Sequence, residues 1–274
     1  DTGSGQATDA AKLLAKSLLG GERKAILLGN AAAHHANASS LLSLASWIGA
    51  QTGASVGYLT EAANTVGAQL AAAMPSGKGL NAGDMLGGKL KAVILLNTEP
   101  EFDSAAGKKA VNSLGAAQMV VTLSPFKANM SFSDVLLPIA PFTETPGTFV
   151  NAEARVQSFH AVVKPLGETR PAWKVLRVLA NLLGLPGFDF ESSQDVLKQV
   201  PGIDANQVAA DRLNNSSDAA IRLSTGSGAA PSVASIYQLD SLVRRASSLQ
   251  LTADGRLSAG VETKPVLVSE EAAA

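Results

Sequence analysis

The sequence predicts an α/β protein: a parallel, Rossmann-like sheet with flanking helices. Three observations carry this. Short apolar runs occupy residues 25–30, 91–97 and 118–123, helix-forming stretches follow them, and from residue 134 the texture changes to short alternating strands joined by turns. Unbroken apolar runs are the mark of strands buried on both faces of a parallel sheet. Strand and helix in alternation then imply right-handed crossovers.

The elements follow in order. A weakly amphipathic helix is expected over residues 8–19, with Leu13, Leu14, Ala15, Leu18 and Leu19 on one side and Gly20-Gly21 as its stop. The strand at 25–30 closes on Gly29-Asn30, and the next helix is capped by Asn37 or Ser39 and broken by Gly49 and Gly53. Residues 53–89 are rich in Gly and Ala, with one helix expected at 61–74 and a looser stretch after it. A helix at 104–114 separates the runs at 91–97 and 118–123. Residues 135–139, 148–151 and 156–163 read as short strands. Pro171 starts a helix reaching Leu183, with Gly184 beyond its end. Further helices are expected at 192–200, capped by Ser192 or Ser193, and at 206–213. Beyond Asn214 lies a Ser/Gly/Ala-rich linker, interrupted by one amphipathic stretch at 236–249 before an acidic, alanine-ending tail. Three regions result: a parallel α/β domain (1–133), a junction with helices packed on it (134–214) and the linker, amphipathic segment and tail (215–274).

Composition narrows the function classes. The 274 residues carry a net charge of -1 with no dense basic stripe, so the electrostatic term behind nucleic-acid binding is missing. Alanine makes up about one residue in six, so the 46% apolar content overstates the bulky side chains available to a core. Cysteine is absent, which excludes disulfides, thiolate nucleophiles and cysteine-held metal or iron–sulfur centres within this chain. No apolar run approaches the roughly 20 residues of a membrane helix, so no direct membrane insertion is expected. The first residues show neither an initiator methionine nor a signal-peptide layout, and read as an internal or processed end of something longer.

Several motifs resolve into bland readings. Gly53, Ser55 and Gly57 match G-x-S-x-G, and His160 lies downstream with Asp103 and Asp134 between, the ingredients of an α/β hydrolase. That nucleophile requires a turn from strand into helix, whereas here a helix precedes it; a Gly-rich helix exit is the better account. Lys78 lacks the surrounding P-loop pattern, since Ala72 and Gly79 stand at its defining positions, and Gly29 alone makes no dinucleotide fingerprint. His34 and His35 are neighbours that point about 100° apart on a helix. They read as polar residues at a sheet edge, and His160 as a hydrogen-bonded structural histidine; no metal site is assigned.

The segment least like generic globular sequence runs from Pro141 to Leu183. It contains Glu144, Gly147-Thr148-Phe149, Asn151, Glu153, Arg155 and Gln157, then Gly167-Glu168, Arg170 and Trp173. Gly147 permits a tight turn, Asn151 and Gln157 can satisfy backbone groups, and the guanidinium of Arg155 is suited to clamp Glu144 or Glu153.

This stretch resembles the molybdopterin oxidoreductase superfamily, in which a Glu-x-x-Gly-Thr-Phe-x-Asn-x-Glu-Gly-Arg-x-Gln run precedes Pro-x-Gly-Glu-x-Arg-x-x-Trp and a Leu-Ala-x-x-Leu-Gly helix. Ala154 departs from the usual glycine, but the alignment needs no gap. Within the superfamily, residues 29–35, 59–68 and 236–252 make the chain most similar to the 75 kDa subunit family of bacterial NADH-quinone oxidoreductase, respiratory complex I. The resemblance implies the C-terminal part of a molybdopterin-enzyme-like body. Such a body has lost its molybdopterin, and the iron–sulfur clusters sit in an N-terminal part outside this chain.

It further implies a structural role in NADH-to-quinone electron transfer, with no catalytic, cofactor-binding or metal residue here. The family-motif positions Glu144, Thr148, Asn151 and Arg155 would form a network that holds a loop. The expected partners are the other peripheral-arm subunits and the rest of the parent chain, at the cytoplasmic side of the bacterial inner membrane. The parent complex would be the enzyme, not this part by itself. Two alternatives stand beside this reading: a part of a genuine molybdopterin-dependent oxidoreductase of the formate dehydrogenase or nitrate reductase type, and the Ser55 hydrolase.

Overall fold

The computed structural model describes residues 6–88, 90–204, 206–212 and 235–259. The fold is α/β with parallel sheets and flanking helices, as the alternating pattern requires. It divides into two compact units, one built around residues 6–61 and the other around residues 62–212 and 236–255.

In the first unit, α1 (Asp9–Gly20) starts at Thr8, whose hydroxyl accepts a hydrogen bond from Ala11 N at 3.1 Å. That bond satisfies one of the orphan donors of the first turn. Strand β1 (Ala25–Leu28) pairs in parallel with β2 (Ser55–Tyr58), placing Ala25 opposite Ser55 and Leu28 opposite Tyr58. Between them run α2 (Asn30–Ala33) and α3 (Ala38–Thr52), and α3 packs on both strands.

Two expectations are corrected here. β1 is not covered on both faces, since Leu27 is 58% exposed; an apolar run reports hydrophobicity, not the number of layers above it. Gly49 does not break its helix. A Cβ there would lie 2.6 Å from Val56 Cγ2 and 2.9 Å from Ala54 O, so the glycine lets helix and strand approach, and the helix stops at Gly53, whose φ is +72°. The expected Gly-rich helix exit is made at Gly53, and Ser55, two residues on, opens strand β2.

The second unit opens with α4 (Thr65–Leu70), shorter than expected, and α5 (Ala82–Leu86), a helix that the reading of residues 53–89 did not include. Asn81 nucleates α5 by accepting Asp84 N at 2.9 Å. Then come β3 (Ala92–Leu96), α6 (Pro100–Asp103), α7 (Lys108–Leu114), β4 (Met119–Ser124) and β5 (Val135–Pro138). The helix expected at 104–114 begins only at Lys108, because Gly107 sits at φ +52°. The sheet is parallel, in the order β3-β4-β5, with Leu96 opposite Leu123 and Leu123 opposite Leu137. Val93, Leu95, Leu114 and Val120 form its buried core, with Leu86, Leu90, Ala117 and Phe132 against them. β3 alternates instead of being buried throughout: Ile94 is 53% exposed, whereas Val93 is buried. β5 belongs to this sheet although it opens the stretch read from sequence as a junction.

The antiparallel hairpin β6 (Gly147–Val150) and β7 (Val156–Phe159) follows, then α8 (Ala172–Leu182) and α9 (Ser193–Leu197). Ser192 and Asp195 form a reciprocal capping box at the start of α9. The helix expected at 206–213 is instead a hairpin of β8 (Ile203–Asp204) and β9 (Gln207–Val208) with a short 3-10 turn after it. Asn206 at φ +64° supplies the left-handed turn that a helix cannot contain. The amphipathic stretch at 236–249 is three short helices, α10 (Ile236–Leu239), α11 (Ser241–Arg245) and α12 (Ser247–Gln250). Asp240 divides the first two because its carboxylate accepts Leu242 N and Val243 N, both at 2.9 Å. The start of the expected tail is a helix, α13 (Ala253–Ala259), and the expected linker up to residue 234 and the tail from residue 260 lie outside the described residues.

Candidate functional site

In an open α/β sheet, ligands bind outside the carboxyl ends of the strands. In the second unit that position is a cleft of about 650 Å³, formed by Leu96 at the end of β3 and Asn97 just past it, Phe126 after β4, and Ile139 and Ala140 after β5. The hairpin contributes Gly147, Thr148, Phe149 and Phe159, and α11 contributes Ser241 and Leu242.

Local structure holds these walls. Asn97 adopts φ +49°, and its N–H donates to Leu123 O at 2.8 Å, turning the chain off the sheet. Ala140 N donates to Arg170 O at 2.9 Å, tying the end of β5 to the chain entering α8. Asn64 Oδ1 accepts the N–H of the buried Val150 at 2.8 Å, anchoring the hairpin to the segment before α4. Phe149 and Phe159 meet edge to face with ring centroids 5.1 Å apart. The Phe159 ring lies where a Cβ of Gly147 would be, 2.7 Å from Cζ.

The family-motif residues do not converge on one point. Glu144 reaches out of a 3-10 turn, and its Oε2 accepts Leu166 N at 2.9 Å, fixing the loop that follows the hairpin. The Thr148 and Ser158 hydroxyls are 2.9 Å apart across the strands, and Thr148 alone of the four lines the cleft. Asn151 folds the hairpin turn by accepting Glu153 N at 3.1 Å and Arg155 N at 2.9 Å. Ala154 sits there at φ +62°, a conformation that the family's glycine adopts without strain. Arg155 is exposed and forms no ion pair among the described residues, so the expected clamp on Glu144 or Glu153 is not made. Glu144 is already engaged by Leu166, and the Asn151 turn is closed by backbone donors.

The other sequence candidates resolve individually. Ser55 opens a strand and does not stand on a strand-to-helix turn, so its backbone lacks the nucleophile-elbow geometry. His34 Nε2 lies 2.6 Å from Glu61 Oε2, and His35 Nδ1 accepts Asn37 N at 2.9 Å. His160 is exposed and without a hydrogen bond among the described residues, contrary to the expected structural role; it lies just past the last paired residue of β7. No group of three or more potential metal ligands occurs among the described residues. None of their helices is long and apolar enough to cross a membrane.

Sequence reading missed a charged cluster beside the cleft. Glu99, just past β3, is 9% exposed. Arg245 binds it through Nη1 to Oε1 at 2.7 Å and Nη2 to Oε2 at 2.9 Å, and Arg244 Nη2 reaches Oε1 at 3.0 Å. Arg244 Nη1 also contacts Asp103 Oδ1 at 3.2 Å and the Gln238 carbonyl. The two guanidinium carbons stack 4.7 Å from the Phe102 ring centre and 4.2 Å from that of Phe126. Burial alone would raise the Glu99 pKa. The hydrogen bonds from Arg245 and Arg244, with their charges, outweigh it and hold the carboxyl below its ordinary value. The only sequence signal was an Arg-Arg pair in an amphipathic stretch, with nothing local to name its partner.

Comparison with known proteins places these features in a family context. The family model described as "Molybdopterin oxidoreductase" matches residues 5–182. A "Putative formate dehydrogenase" of Staphylococcus aureus (strain bovine RF122 / ET3-1) is 37% identical over 70 residues, which is 26% of this chain and 7% of that protein. The "Probable oxidoreductase YjgC" of Bacillus subtilis (strain 168) is 41% identical over 68 residues, 25% of this chain and 7% of its own length. The matched segments therefore span only a small part of these curated relatives.

Proposed function

Because the chain belongs to the molybdopterin oxidoreductase family, we propose that it is a structural, non-catalytic portion of an oxidoreductase chain of the complex I 75 kDa type. In this reading it supports NADH-to-quinone electron transfer by iron–sulfur clusters carried elsewhere in the parent. It contacts the rest of its own chain and the other peripheral-arm subunits, on the cytoplasmic side of the membrane.

The observation that carries this reading is how the polar groups at the strand-end cleft are spent. A pterin dinucleotide would need donors for a pyrophosphate and for a polar heterocycle. Asn64 is committed to Val150 N, the Thr145 hydroxyl donates to Pro141 O at 2.9 Å, and Thr148 is paired with Ser158. Gly147 does not form an open cradle, since Phe159 fills the space a Cβ would take. Both adjacent guanidiniums are bound to Glu99. Asn97 and Ser241 are the polar side chains of the cleft left over, which we read as too few donors for a phosphate-bearing cofactor, and no chemical step is assigned to one here. Glu144 and Asn151 instead spend their oxygens on backbone N–H groups.

A second reading is favoured by the names of the relatives: part of a molybdopterin-dependent enzyme of the formate dehydrogenase type. Purifying the parent protein from cells grown with molybdate, and measuring pterin, molybdenum and iron per polypeptide, separates the two. Iron without pterin, in a preparation containing the other peripheral-arm subunits, supports the structural reading. Stoichiometric pterin overturns it in favour of the second.

A further inference from the structure

We propose that the second face of the β3-β4-β5 sheet is a docking surface for an amphipathic helix supplied by the rest of the parent polypeptide. The inference deepens the proposed function, and rests on it only in taking the chain for part of a longer one.

Residues paired in register across parallel strands share one side of a sheet, and the side alternates along each strand. One side carries Val93 opposite Val120 and Leu95 opposite Thr122, and it is closed by Leu86 and Leu114 as the buried core. The other carries Ile94 opposite Val121 and Val135, Leu96 opposite Leu123 and Leu137, and Met119 two residues before Val121. Every side chain that the three strands place there is apolar. Leu123 is buried at the middle of this face, but Ile94, Leu96, Met119 and Val135 around it stand exposed, Met119 at 45% and Val135 at 39%.

The chemistry of the face selects its partner. Parallel sheets are covered on both sides, and the cover is helical. A face with no polar group fits a permanent contact of the kind found inside a domain, not an encounter that forms and dissolves. Strands β3 and β5 are two strand spacings apart, about 10 Å, which is the width of one helix with its side chains. A second copy would instead press sheet on sheet, the packing of antiparallel sandwiches. Chain enough to supply the helix exists in the family: a 70-residue match is 7% of one relative, which is thus several times longer than these 274 residues.

The test compares the 274-residue chain with the parent polypeptide by peroxide oxidation of methionine, read by mass spectrometry. Met119 lies on the face, whereas Met74, Met85 and Met130 are exposed outside the strands. Relative to those three, Met119 is expected to oxidise about tenfold more slowly in the parent than in the chain by itself. An unchanged ratio overturns the proposal. Photo-cross-linking of the parent from Ile94→p-benzoylphenylalanine, and separately from Val135→p-benzoylphenylalanine, identifies the cover. Both probes are expected to link to one segment beyond the 274 residues, at the three- and four-residue spacing of a helix. A product of dimer mass, a link to another subunit, or no link beyond these residues overturns the proposal. Stoichiometric pterin in the parent would overturn the proposed function and leave this cover standing, since a parent of either type is longer than the chain.

Discussion

Arg245 clasps Glu99 with both arms of its guanidinium, at 2.7 and 2.9 Å, across 146 positions of sequence. This contact attaches the late helical segment to the end of β3. Removing one partner of a buried pair costs more than the pair contributes, because the remaining charges are stranded in a desolvated place.

Glu99→Ala is therefore expected to destabilise the chain by ~3 kcal/mol, read from urea unfolding of the wild type and the variant. Arg245→Met, which leaves Arg244 to neutralise Glu99 and keeps an apolar stem on Phe126, should cost less. Equal losses would show that the cluster does not act as described.

Acid sensitivity follows from the same group. The Glu99 pKa is held below the ordinary 4.5, so its charged form is favoured by folding. Its contribution is complete above the unfolded value and is lost as pH falls through the lower folded value. Stability measured from neutral pH downward should decline more steeply at the acid end in the wild type than in Glu99→Gln. Superimposable acid limbs would contradict the assignment.

Gly147→Ala places a methyl group 2.7 Å from Phe159 Cζ, in directly paired strands. The expected cost is ~1–3 kcal/mol, partly recovered by Phe159→Leu in the same chain, with thermal unfolding as the measurement. Failure of the second substitution to recover anything would place the strain in the backbone instead.

Glu144→Ala removes the acceptor for Leu166 N and should speed hydrogen exchange in the loop around residue 166 while costing about 1 kcal/mol of stability. Glu144→Gln keeps an oxygen acceptor and should leave exchange near the wild-type rate. If Gln behaves like Ala, the charge rather than the hydrogen bond secures the loop.

The alternating elements, the hairpin at 147–159 and α8 with its Pro171 entry and Gly184 exit were legible because each is specified by residues close in sequence. Helical or strand periodicity and local turn chemistry need no distant partner. The same locality explains the errors. Gly49 reads as a helix breaker until Val56 is seen packed against it, and residues 206–213 read as a helix until Asn206 is seen turning the chain. The helix exit at Gly53 is legible, but that Ser55 opens a strand shows only once β1 is there to pair with it.

The sequence alone determined the class of the fold, the exclusion of cysteine-based centres and the motif that marks the family, all of which depend on composition and short-range spacing. Tertiary structure alone decided which apolar strands are covered, that Arg155 stands free of Glu144 and Glu153, and that Glu99 receives both Arg244 and Arg245. Burial and ion pairing depend on which distant segments meet, and in this chain the charges that meet at the sheet edge are more than 140 positions apart.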